Sequence, residues 1–225
     1  MLTSLCKAYI FDEPIVIQID KSTPSTMKIL KYILFIIVAL VVIFLAIGFI
    51  HPSVDYGHEI KVNKPLKEAW AVSQDVSKLD QWLDGFKSIE LLTGEEGAVG
   101  STYKVIVNPG EGQPDFEMTE TIVSIKEYDH INLRFNSEMM DFEQTTLFTE
   151  QYGGVMIKTE SKVMGKGMVM RSMFALMEML SGSFITQEAK NIEALKKVVE
   201  ENVTDYYSVE VETEGLQVVA EETPE

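Results

Sequence analysis

Cysteine is almost missing from this sequence. One residue, Cys6, in 225 excludes a disulfide framework and any multi-cysteine zinc or iron–sulfur site. Histidine is scarce as well: His51, His58 and His130 are the only three. None falls in a motif, so neither a metal site nor a histidine-centred triad is indicated, and all three read as surface residues. Basic residues are outnumbered, 19 against 35 acidic, for a formal charge of −16. Binding to nucleic acid rests on neutralising phosphates with Lys and Arg, so this balance argues against a nucleic-acid partner. No proline stands between Pro114 and Pro224, which leaves the middle of the chain with few enforced breaks.

What is present is unevenly spread. Residues 1–53 carry a net charge of +1, residues 54–202 a net of −10, and residues 203–225 a net of −7 with no Lys or Arg. From Tyr32 to Ile50 runs YILFIIVALVVIFLAIGFI, nineteen residues without a charge or a proline. As a helix that run rises about 28 Å, close to the hydrocarbon thickness of a bilayer. A transmembrane helix is therefore predicted over 29–50. Lys28 and Lys31 flank the uncharged run on its N-terminal side, and Asp55 and Glu59 follow it. The positive-inside bias then leaves the N-terminus in the cytoplasm and exports the rest. Ala46-Ile47-Gly48 is a small-x-small triplet that would suit signal cleavage, but the run exceeds the usual signal-peptide core and favours an uncleaved anchor. Residues 1–26 look unlike the rest. Met27-Lys28 before the apolar run reads as a complete start, so 1–26 is either an over-extended beginning or a short cytoplasmic tail.

After the run, period-two alternation dominates. His58 to Val62 is a strand, and Asn63-Lys64-Pro65 opens a short helix to Gln74, with Asn63 as candidate cap. Asp75-Val76-Ser77 caps a second short helix or turn that ends at Gly85. Strands follow near 87–92, 101–107, 116–125, 131–135, 142–150 and 155–163, separated by turn residues, which points to an antiparallel meander. From Gly167 the period changes. Met173, Met177, Leu180, Phe184, Ile192, Leu195 and Val199 recur at helical spacing, predicting one long amphipathic helix to about Asn202, with Gly182 a place for a bend. The fold class is α+β, with the last helix laid across a curved antiparallel sheet. Residues 203–225 have the composition of a solvated acidic tail. Asn202-Val203-Thr204 is formally a glycosylation sequon.

The stretch HEIKVNKPLKEAWAVSQDVSKLDQWLDGFKSIELL…GAVGSTYKV resembles the N-terminal half of the SRPBCC superfamily. That helix-grip group includes START lipid-transfer domains and polyketide cyclase/dehydrase-like proteins. The likeness is carried by Pro65, Ala69 and Trp70 at the first helix, then Asp75, Trp82, and the Val99-Gly100 turn into a strand, and it covers about residues 54–202. It implies a helix-grip fold with a cavity between the concave sheet and the long helix. It also implies a hydrophobic small molecule or lipid as ligand; no cofactor is expected. Fold alone leaves activity open.

Candidate ligand-binding residues on that basis are Phe116, Met118, Phe135, Phe142 and Phe148 on the strands, with Met173, Met177 and Leu180 on the helix. Six of the domain's ten methionines fall between Met164 and Met179, and flexible thioethers suit a surface that adapts to varied apolar partners. No catalytic residue is assigned. Glu120, in phase with Phe116 and Met118, is the one weak candidate, because an inward carboxylate would have a raised pKa. Trp70 and Trp82 read as structural. Three functions remain open: an anchored binder of a hydrophobic molecule, a cyclase- or hydrolase-like enzyme on a polyketide-type substrate, and a tethered protein-interaction module.

Overall fold

A computed structural model describes residues 24–108, 110 and 112–207. Most of the predicted extension 1–26 and of the predicted tail 203–225 lies outside the described residues. The chain divides into two units, 1–43 and 44–225. A single helix, α1 (Pro24–Ile50), runs through residue 43 and supplies the first residues of the second unit. It is long and apolar enough to cross a membrane, with a mean hydropathy of 3.5 over its most apolar stretch.

In the second unit, β1 (Val54–Val62) is followed by α2 (Leu66–Gln74), a single 3-10 turn at Val76–Lys78 and the short α3 (Leu79–Trp82). Six strands follow: β2 (Phe86–Thr93), β3 (Thr102–Val107), β4 (Phe116–Lys126), β5 (His130–Asn136), β6 (Met140–Gln151) and β7 (Gly154–Gly165). Two helices come next, α4 (Met168–Ser181) and α5 (Ser183–Glu200). The seven strands form one antiparallel sheet in the order β1-β7-β6-β5-β4-β3-β2. The meander runs from β2 to β7, and β1 closes on β7. This is the expected α+β helix-grip architecture.

The main core lies where α2 and α5 meet the sheet. Val62, Trp70, Phe148, Ile157, Leu195 and Val199 are buried together there, and Trp70 sits edge-on to Phe148 at 5.1 Å. Full burial of side chains this size stabilises by about 1.5–3 kcal/mol each. Asp75 caps the 3-10 turn by accepting the Ser77 N–H, as the sequence suggested. Asn63 does not cap α2. Its backbone and side-chain nitrogens both donate to Glu200, tying the end of β1 to the end of α5.

Three expectations need correction. The single long terminal helix is two helices, bent by 68° at Gly182, whose φ of +57° is a left-handed conformation that glycine adopts without cost. Asn202 is buried, bonded through its side chain to Glu68, Lys78 and Thr204, so the sequon is spent on structure. Residues 203–207 are tied to the domain: Tyr206 donates to Asp75 and Tyr207 to the Lys67 carbonyl.

Candidate functional site: the concave face of the sheet

Strand register sets which side chains share the inner face. One row crosses six strands as Val54, Val163, Phe142, Phe135, Glu120 and Tyr103. The next row reads Tyr56, Ser161, Gln144, Leu133 and Ile122. A bulge in β4 between Ile122 and Ser124 then brings Ile125 inward beside Ile131. The first row is apolar except for Glu120 and the Tyr103 hydroxyl, whereas the second is apolar at β4 and β5 and polar at β1, β7 and β6.

Glu120 stands in the apolar half. Phe135 and Tyr103 flank it across the strands, and Met118 and Ile122 lie two residues away along β4. Tyr103, Met118 and Ile122 belong to one hydrophobic cluster with Val105. No hydrogen bond or ion pair reaches the Glu120 carboxylate from any described residue. Burial alone pushes its pKa up to about 7. An unpaired inward carboxyl half-protonated near neutrality can donate or accept a hydrogen bond, or move a proton.

Glu188 stands on the polar side, on the inner face of α5. Gln144 Nε2 donates to its two oxygens at 3.0 and 3.2 Å and to Ser161 Oγ at 3.2 Å. Burial holds Glu188 above the ordinary carboxylate range, while Thr159, His58 and Gln144 offset part of that rise. Burial, with Glu188 nearby, also pushes the Tyr56 hydroxyl above its usual value. Glu188, Gln144, Thr159, Ser161 and Tyr56 were missed in the sequence. Only the alternation that aims Gln144 and Ser161 inward could have pointed to them. His58, read as a surface residue, is half-buried, and its backbone N–H donates to Thr159 Oγ1 at 3.1 Å.

The predicted ligand residues separate into three groups. Phe116, Met118, Phe135 and Phe142 lie on the concave face, and none is fully buried, so solvent reaches that half. Phe135 stacks on Phe142 at 5.2 Å, and Phe142 on Tyr56 at 6.5 Å. Phe148 is 5% exposed and is part of the main core. Met173, Met177 and Leu180 are 38%, 41% and 78% exposed, on the side of α4 opposite the buried Ser172 and Ala175. The reason is the break at Gly182: α4 turns out of line with α5 and presents that face outward.

Two surface clefts border α5. One, of about 370 Å³, lies between residues 80–86 and Lys190, Asn191 and Ala194. Trp82, on its wall, has a buried Nε1 without an acceptor among the described residues. The other, of about 440 Å³, lies between Lys78, Gln81, the end of α5 and residues 201–204. Neither is lined by a predicted ligand residue. Among the described residues, no three metal-ligating side chains converge.

The chain matches no protein-family model and no curated protein. Solved structures are similar to it. A conserved protein from Geobacillus kaustophilus is 19% identical, with a TM-score of 0.54 over 65% of this chain and 95% of that one. Ara h 8.0201 is also 19% identical, with a TM-score of 0.53 over 67% of this chain and 99% of its own. The di-domain ARO/CYC protein BexL, from the BE-7585A biosynthetic pathway, is 11% identical with a TM-score of 0.51. It matches over 68% of this chain and 52% of its own length. At such identities these likenesses show the fold alone, the helix-grip fold.

Proposed function

We propose that this chain is a membrane-anchored, exported domain that binds a hydrophobic small molecule or lipid against the β3–β5 half of its concave sheet. One observation carries the reading: Glu120 is a carboxyl without a partner among the described residues, set among Tyr103, Met118, Ile122 and Phe135. A buried polar group without a partner is costly. A ligand with an apolar body and one hydroxyl or amide would cover the aromatic and aliphatic side chains and supply that partner. The fold likeness to Ara h 8.0201 and to an ARO/CYC protein agrees with such a site. The apolar run Tyr32–Ile50 of α1, with Lys28 and Lys31 on its N-terminal side, supports an anchor with a cytoplasmic N-terminus.

Native mass spectrometry of the detergent-extracted full chain tests this. An apolar molecule should co-purify and should be lost, or held less tightly, in Phe135→Ala. A bare protein that takes up no apolar fluorescent probe would sink the reading. A second reading, a cyclase- or hydrolase-like enzyme, rests on the same carboxyl poised near neutrality. Glu120→Gln separates the two. In a binder it changes affinity by about tenfold or less, near 1.4 kcal/mol. In an enzyme it abolishes turnover while binding persists.

A further inference from the structure

Helix α4 departs from the usual rule for a surface helix. Its only charged residues are Arg171 and Glu178, and both are engaged locally. Arg171 Nε donates to the Gly165 carbonyl, and Glu178 accepts the Phe184 backbone N–H at the start of α5. The inner face, Ser172, Phe174 and Ala175, is buried. The outward face carries Val169, Met173, Met177 and Leu180, all exposed and none able to offer water a strong hydrogen bond. Ile185, after the bend, and Met139, whose carbonyl accepts the Lys166 N–H, are exposed apolar side chains as well. A contiguous exposed patch of this kind marks a surface that something covers.

The neighbour of that patch identifies what covers it. Residues 44–50, the last two turns of α1, belong to the same unit as α4. Gly48 is buried. A Cβ placed on it would strike the Ser172 hydroxyl, and would lie 2.6 Å from the Ser172 backbone nitrogen and 2.9 Å from the Met168 carbonyl oxygen. Only a glycine lets the two helices come this close. Phe49 and Ile50, the next two residues, are 77% and 68% exposed. The end of the apolar helix thus packs on α4 at Ser172 and Met168, on the flank next to Val169 of the outward face. The domain's charge is strongly negative, so attraction to anionic lipid headgroups is not the driving force. An uncharged, methionine-rich face suits acyl chains.

We propose that α4 is an interfacial helix, docked by Val169, Met173, Met177 and Leu180 into the surface of the bilayer that α1 enters, with Gly48 joining the two helices. This rests on the anchor reading above. Docking would hold the domain against the membrane, so that its concave face samples lipid-borne molecules instead of bulk water.

Single-cysteine variants of the full chain test it, in a Cys6→Ser background reconstituted into phosphatidylcholine vesicles. Met177→Cys and Leu180→Cys carry a fluorescent label, and the lipid carries a nitroxide on its acyl chain. Tyr152→Cys is the control. That residue is fully exposed in the turn before β7, about 36 Å of strand away from Gly165. Labels at 177 and 180 should lose most of their emission, while the label at 152 keeps it. Unquenched labels at 177 and 180, in protein that survives alkaline washing of the membranes, would overturn docking and leave the anchor standing. Release by the wash would remove the anchor and this proposal together. Cross-linking of two copies through position 180 without lipid quenching would mean that a second chain covers the face, and would also overturn it.

Discussion

Helices α4 and α5 are consecutive, separated by one glycine, yet they solve different problems. α5 is an ordinary amphipathic helix: Ile192, Leu195 and Val199 form a buried stripe, and Lys196, Lys197 and Glu200 keep its outer side polar. α4 buries Ser172, Phe174 and Ala175 and leaves methionines, valine and leucine outside. A helix that faces core on one side and water on the other needs α5's pattern. A helix apolar on both sides has an apolar partner on both sides. The difference teaches that α5 makes the fold, whereas α4 has a task outside it.

Truncation should separate the two most strongly. Leu195 is 1% exposed and Leu180 is 78% exposed. Leu195→Ala removes buried atoms and leaves a cavity, at a cost of about 2–5 kcal/mol. Leu180→Ala in detergent should stay within about 0.5 kcal/mol of the parent. Denaturant midpoints of the two variants check this, and equal losses would mean that α4 is core after all.

The inner carboxylates should come next in size. Folded Glu120 holds its proton up to about pH 7, whereas the unfolded chain releases it in the ordinary carboxylate range. The folded state therefore binds more protons across that window, and stability falls as pH rises from about 4.5 to 7, then levels. Full linkage would be about 3 kcal/mol, and the solvent access of a half-buried group cuts it to about 1–2 kcal/mol. Glu188, raised by burial beneath α5, acts in the same direction. Glu120→Gln should flatten the fall, as read from midpoints at pH 5 and pH 8. A Glu120→Gln profile as steep as the parent's would place the titrating group elsewhere.

Gly182 makes the comparison possible. In a straight helix Gly→Ala stabilises by up to ~1 kcal/mol. At φ +57° the sign reverses. The new Cβ meets the strain of the left-handed conformation, and Ile185 Cγ2 lies 3.3 Å away. Gly182→Ala should cost about 1 kcal/mol, and a stabilised variant would mean that the two helices run as one.

The fold was legible because alternation and turn residues are local signals. Each of the seven strands carries one, and Pro65, Asp75 and Trp70 sit where the short helices need them. The candidate site was legible only in part. Alternation placed Glu120, Met118 and Phe135 on the inner face correctly, since strand period decides the face. It did not reveal the Gln144–Glu188 bond, which joins residues 44 positions apart. Nor could it reveal the outward turn of Met173 and Met177. Helical spacing shows that two side chains share a face, but not which face is covered. The close approach of Gly48 to Ser172 depends on tertiary packing alone, and in the sequence it read only as a small residue in a possible cleavage triplet.

The smallest expected effect is the most discriminating. Met177 is 41% exposed, and tryptophan is far larger. Within a packed core such a swap costs about 1–3 kcal/mol by overpacking. In a cavity wall it would block the uptake of an apolar probe. On an outward face it does neither, because the ring extends into the surroundings. Met177→Trp in detergent should therefore melt within about 0.5 kcal/mol of the parent and bind the probe equally well, as read by thermal denaturation and probe fluorescence on one sample. Loss of probe binding would return α4 to the wall of the ligand site. A large fall in melting temperature would return it to the core. With both unchanged, the methionine face lies outside the domain's own packing, and the ligand's contacts rest on the strands around Glu120.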